Sequence, residues 1–208
     1  MARQPLSSAT TAPGWPLAPP GVWTGEPAST NDAPEPVQPP LGRKVELGAQ
    51  TAIPQWSQVL NDRHWLFSAG PFFLELFAGK AGITEAVFLA GVPVLPPVDI
   101  VASDLVRTPV DLVDAIFWQS LVDILVLGVV FFLHCGTPCN TFTAARKADG
   151  GPPPLRSPQE PLGLEGLSEQ DSCLVFLGNV FLDRTVEACS LVFAFGGDFL
   201  IENPLLSL

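Results

Sequence analysis

The sequence predicts an α/β protein: a parallel sheet with flanking helices joined by right-handed crossovers. Four short runs rich in aromatic and β-branched residues, at 72–77, 92–95, 129–133 and 199–201, alternate with stretches of helical apolar spacing. Strands that alternate with helices return to the same end of the sheet each time, so they lie parallel. In the 208 residues, 47% are apolar and 15% charged, enough apolar side chain for a core, which excludes a wholly disordered chain.

Residues 1–50 read as a disordered tail and 51–208 as the folded domain. Ten of the 23 prolines fall in the first 40 residues. Proline fixes φ and removes a donor, which rules out a continuous helix or a sheet ladder there. Trp15 and Trp23 in that tail either dock on a partner or sit in a solvated linker. From Ile53 the pattern changes. A short helix is predicted within Trp56–Trp65, and a buried strand over Phe72–Phe77 that stops at Ala78-Gly79. Ile83–Ala90 reads as a helix ended by Gly91 and Val92–Leu95 as a second strand. Val110–Leu127 has helical spacing, with Asp111 and Asp114 in the first turn, where the helix dipole favours them. Val129–Leu133 is β-branched or aromatic at four of its five positions and reads as a strand. Asp149–Glu169 is a Pro/Gly-rich loop. Ser168 is the predicted N-cap of a long helix reaching Ala194, with Asp171 completing a capping box. Phe199–Ile201 is the last strand.

Charge narrows the function. The net charge is −11, from 10 basic and 21 acidic residues, which excludes gripping nucleic acid by phosphate neutralisation alone. Any DNA cleft has to be local, and Arg146, Lys147 and Arg156 are its candidates, a solvated loop being the alternative. The longest charge-free apolar run, Ile124–Leu133, is about half of what a membrane-spanning helix requires, so no membrane partner is expected. The N-terminus lacks a charged-then-apolar signal pattern, and four cysteines are too few for a disulfide scaffold. An intracellular protein is expected, nuclear and cytoplasmic placement being equally compatible.

Chemistry-bearing residues cluster at the ends of the predicted strands, where ligands bind in parallel sheets. Phe77-Ala78-Gly79-Lys80-Ala81-Gly82 closes the first strand; its glycines let a ligand approach backbone, or simply make a tight turn. Asp99 follows the second strand about twenty residues after Gly79. It is a candidate acceptor for the ribose hydroxyls of a nucleotide-like cofactor, or an ordinary loop or capping carboxylate. Asp104 is a candidate contact for an adenine amino group, with the same alternatives. His134-Cys135-Gly136-Thr137-Pro138-Cys139 follows the third strand. Pro138 stiffens the turn that presents Cys139, a candidate nucleophile. A zinc site from His134, Cys135 and Cys139 lacks the second ligand pair such sites use. Cys135, Cys173 and Cys189 read as buried small apolar residues. Glu202-Asn203-Pro204 ends the last strand, either as a carboxylate in the same crevice or as a turn.

In this order the motifs resemble those of the cytosine-5 DNA methyltransferases, over roughly residues 72–204. Phe77, Gly79 and Gly82 match the Phe-x-Gly-x-x-Gly segment of that family; Pro138 and Cys139 match its Pro-Cys; Glu202 and Asn203 match its Glu-Asn. Phe73–Gly79 is similar to its Asp-Leu-Phe-Ala-Gly opening, with Glu75 in place of Asp. The departures are Asn140 and Thr143 after the Pro-Cys pair, and Pro204 after Glu-Asn. The resemblance implies a Rossmann-like class I methyltransferase sheet that binds S-adenosylmethionine. It also implies a DNA substrate, contacted by Asn203 and Arg146, and a cysteine adduct at C6 of cytosine formed by Cys139, with Glu202 holding the ring. Family members continue past Glu-Asn with further strands, an arginine-bearing motif and a target-recognition region. The sheet is therefore expected to be incomplete at its C-terminal side, its last strand an open edge for a partner chain. The alternative is a non-catalytic binding module on the same scaffold. An amino-methyltransferase reading of Asn203-Pro204-Leu205-Leu206 lacks the aromatic residue that motif needs.

Overall fold

The computed structural model describes residues 50–143, 146 and 150–202. The predicted tail lies outside them except for Gln50, whose side-chain amide clips both backbone groups of Val94. Within the described residues the chain is α/β: a small three-stranded parallel sheet with flanking helices.

Two short helices, α1 (Trp56–Asn61) and α2 (Arg63–Ala69), lead into β1 (Phe72–Leu76). β1 pairs in parallel with β2 (Val130–Cys135), and β2 with β3 (Asp198–Ile201), giving the order β1-β2-β3. All five residues of β1 are buried, which explains its unbroken apolar run around one charged residue. Alternation along the strand sends Leu74 and Leu76 to one face and Phe73 and Glu75 to the other. On the first face, α4 (Ala115–Leu125) and α5 (Glu169–Ala194) contribute Trp118, Leu121, Leu125, Ala188, Cys189 and Val192 to a single core. Trp118 also ties the two helices, its indole N–H donating to Glu187 while the Arg184 guanidinium lies over its ring. On the second face, α3 (Gly82–Leu89) meets β1.

The second predicted strand is a correction. Over Val92–Leu95 no continuous strand forms; only isolated parallel bridges join Val94 to Phe73 and Val98 to Leu76. The segment still runs along the outer edge of β1, with Leu95 and Val98 donating to Phe73 and Glu75 carbonyls. Pro93, Pro96 and Pro97 carry no N–H, so a regular ladder cannot be completed through them. α4 is also shorter than the predicted 110–127. Asp111 captures the Val113 N–H, and Asp114 accepts from the N–H groups of Ile116 and Phe117. Asp114 is thus the N-cap rather than a first-turn residue, because a short carboxylate competes for free N–H groups just outside a helix. α5 starts as predicted: Ser168 accepts from the Asp171 N–H at 3.1 Å and donates to its carboxylate at 2.7 Å.

β3 is short and its four residues are all exposed. Phe199, Leu200 and Ile201 are 42%, 54% and 39% accessible, the composition of an interior strand in an edge position.

Candidate functional site

The site lies beyond the C-terminal ends of β1, β2 and β3. The turn after β1 is strained: Phe77 and Ala81 take φ of 56° and 57°, a left-handed region that costs any residue with a side chain. Gly79 shares that conformation at φ 54° without the cost. Open space surrounds the position a Cβ would take at both Gly79 and Gly82, so backbone at the start of α3 is approachable.

Asp99 is bound to this turn. Its Oδ2 accepts from the Gly79 N–H at 2.7 Å and its Oδ1 from the Val101 N–H at 2.8 Å. Each oxygen keeps a second acceptor position. A cleft of about 180 Å³ opens beside it, lined by Phe77, Asp99, Ile100, Gly136, Pro138 and Phe181 among others. Phe77 and Phe181 meet edge to face at 5.3 Å, so one wall is aromatic. Three residues that sequence reasoning drew from separate strand ends, Phe77, Asp99 and Pro138, therefore line one cleft. Asp104 is exposed and is not part of the lining. A larger apolar pocket of about 280 Å³ lies near Trp56, Phe88 and Pro96 and includes none of the candidate residues.

Cys139 is half-buried, in a turn just past β2. Its carbonyl accepts from the N–H groups of Phe142 and Thr143, both at 2.9 Å. On the other side of the cysteine, Thr137 is tied to α5. The Thr185 hydroxyl donates to the Phe181 carbonyl, so Thr137 is the donor in the 2.8 Å contact between the two threonines. Glu202 leaves β3 beside β2, its N–H donating to the Cys135 carbonyl at 2.9 Å, and its side chain is exposed. Cys139 and Glu202 thus follow adjacent parallel strands. Asn203 lies outside the described residues, as does Lys147. Arg146 donates to the carbonyls of Asn140 at 2.7 Å and Pro153 at 3.0 Å, bracing the loop.

Two readings are corrected here. Arg156, a candidate for a basic DNA-facing loop, is 2% exposed. Cys173, expected to be buried, is exposed on α5; Cys135 and Cys189 are buried. The Cys135 thiol is held protonated by its hydrogen bond with Cys189 and by burial. Reagent must also reach the sulfur, so iodoacetamide will modify exposed Cys173 and half-buried Cys139 in the native chain, and buried Cys135 and Cys189 only after unfolding. Peptide mass mapping over time checks this, and native-state labelling of Cys135 would contradict the packing of β2 on α5. Among the described residues no group of three His, Cys, Asp or Glu side chains is arranged to hold a metal ion. No described helix is long and apolar enough to cross a membrane.

Sequence reasoning placed Glu75 in the Phe73–Gly79 opening but gave it no partner, and it missed Thr84. Glu75 is 3% exposed, and its Oε2 accepts from the Thr84 N–H at 2.8 Å and from the Thr84 hydroxyl. Its Oε1 faces His134 Nδ1 at 3.7 Å, too far for a hydrogen bond. A lone Glu inside an apolar strand run was the available signal, since a buried carboxylate must find donors. No family model, curated protein or solved structure matches this chain.

Proposed function

We propose that this chain is an S-adenosylmethionine-dependent methyltransferase domain of the cytosine-5 DNA type, on a Rossmann-like sheet. The observation that carries the reading is the convergence of Phe77, Asp99 and Pro138 on one cleft beside an approachable glycine turn. These residues suit a nucleoside-containing ligand: carboxylate acceptor positions for ribose hydroxyls, and aromatic and aliphatic walls for a purine. The bound cofactor would supply an electrophilic methyl group.

The chain's own residues do the rest. The Cys139 thiolate adds to C6 of cytosine, forming an S–C6 bond and moving the ring's electron pair to C5. Glu202 hydrogen-bonds N3 and the exocyclic amine, favouring the N3-protonated ring and so relieving the charge that develops on it. After C5 is alkylated, its proton leaves to a base and the returning electron pair expels Cys139. The target base has to leave its stack to reach the turn.

Calorimetric titration of S-adenosylmethionine into the full chain and into Asp99→Ala tests the cofactor half. The wild type should bind in the micromolar range, and the variant about tenfold or more weakly, the effect of losing charge-assisted hydrogen bonds. Equal binding by both would remove Asp99 from the site; no heat from the wild type would sink the reading.

A second reading is favoured by β3. An exposed apolar edge strand suits a module that pairs with another chain to complete its sheet. Oligomerisation on size-exclusion chromatography together with no binding heat would select it.

A further inference from the structure

Arg156 is the most fully engaged side chain among the described residues, and nothing in the cofactor cleft uses it. It lies in the loop before α5, 2% exposed. A guanidinium has five N–H donors, and all five are spent. Nε and one Nη2 proton go to Thr141 Oγ1, at 3.3 and 3.1 Å. Nη1 donates to the Pro161 carbonyl at 2.6 Å and to Asn179 Oδ1 at 2.7 Å. Nη2 also donates to the Val175 carbonyl at 3.1 Å. Every acceptor is neutral. The guanidinium carbon sits 3.8 Å from the centre of the Phe142 ring, which its cation–π attraction holds in place.

Apart from Pro161, in the arginine's own loop, these partners belong to two bodies. Thr141 and Phe142 are in the Cys139 turn; Val175 and Asn179 are on α5. Gly178 lies between the last two, and a Cβ there would come within 2.6 Å of Thr141 Oγ1 and 3.0 Å of Arg156 Nη2. The helix thus leaves a gap of the size the latch needs. With Thr137 tied to Thr185 about two turns beyond Gly178 on the same helix, the turn is anchored to α5 on both sides of Cys139.

We propose that Arg156 is the positioning residue of the Cys139 turn, latching Thr141 and Phe142 to α5 so that the thiol is presented in one place. The proposal rests on the reading of Cys139 as nucleophile, but its test needs neither cofactor nor DNA. In the full chain, the rate of Cys139 alkylation by iodoacetamide is followed by mass mapping, with exposed Cys173 as internal control. Arg156→Ala should release the turn and speed alkylation of Cys139 about tenfold, with Cys173 unchanged. Guanidinium ion, well below denaturing concentrations, should reverse the acceleration, and Arg156→Lys should fall between, since an ammonium cannot reproduce the planar fork. A folded Arg156→Ala protein whose Cys139 rate matches wild type overturns the proposal. Should that variant unfold, Thr141→Val decides: it keeps the arginine and its grip on α5 and removes only the hydroxyl. Faster Cys139 alkylation in Thr141→Val supports the latch, and an unchanged rate overturns it. If the latch holds while wild type traps no cytosine adduct, the methyltransferase reading fails and the positioning of this thiol stands.

Discussion

Replacing Cys139 by Ser should abolish covalent capture of DNA containing 5-fluorocytosine. The fluorine cannot leave as a cation, so a nucleophile that has added to C6 stays attached after C5 is methylated. A serine hydroxyl is almost wholly protonated near neutral pH, whereas a thiol supplies an appreciable anionic fraction, so the loss should reach about a thousandfold or more. Glu202→Gln should cost about 10²–10³-fold, because a neutral amide with one acceptor oxygen cannot hold both the protonated N3 and the exocyclic amine as a carboxylate does. Neither variant touches the cleft lined by Phe77, Asp99 and Pro138, so cofactor binding should survive in both. A gel-shift of the denatured adduct reads the first effect and titration of the cofactor the second. Capture that persists in Cys139→Ser would move the nucleophile elsewhere. Loss of cofactor binding in the same variant would mean that the substitution had disturbed the fold.

Glu75→Ala should be among the most destabilising single changes in the chain, by about 3 kcal/mol. α3 begins at Gly82, and its N-cap residue, Ala81, has no side-chain acceptor to offer. The Thr84 N–H in the first turn would be an orphan were it not for Glu75, reaching across from β1. Truncation leaves that N–H and the Thr84 hydroxyl buried without partners, opens a cavity, and removes the group that faces His134. Glu75→Gln keeps a carbonyl oxygen for Thr84 and should lose less than half as much. Urea unfolding of the three proteins, with m unchanged, measures the difference. A Glu75→Ala protein within about 1 kcal/mol of wild type would show that the site relaxes enough to rehydrate.

How much of this was legible in sequence varies with the kind of interaction involved. β1, β2, β3 and α5 were readable because their signals are local and redundant. The strands are short runs rich in aromatic and β-branched residues whether buried, as β1 is, or exposed, as β3 is, and Ser168 with Asp171 marks a helix start within four residues. The failures came where two local signals compete. Val92–Leu95 has strand composition, yet the prolines around it withhold the donors a ladder needs. Val110–Leu127 has helical spacing, yet Asp111 and Asp114 capture the backbone first. Cys173 looked as buried as Cys189 because a 26-residue helix lies against the sheet along only part of its surface, and composition does not say which part.

The site divides in the same way. The sequence by itself determined the α/β class, the strand ends, and the residue types those ends carry: the glycine turn, Asp99, Pro138 with Cys139, and Glu202. Only the tertiary structure decided which of them meet. It joined Asp99 to the Gly79 N–H and set Pro138 and Phe181 in the lining of the same cleft, while leaving Asp104 in solvent. It also turned Arg156 from a candidate surface cation into a buried latch, because four neutral acceptors from three segments converge on it. Local sequence encodes propensity and pattern over a few residues. The partners of a buried charge come from other segments, up to 23 positions away for Arg156, and folding alone brings them within hydrogen-bond reach.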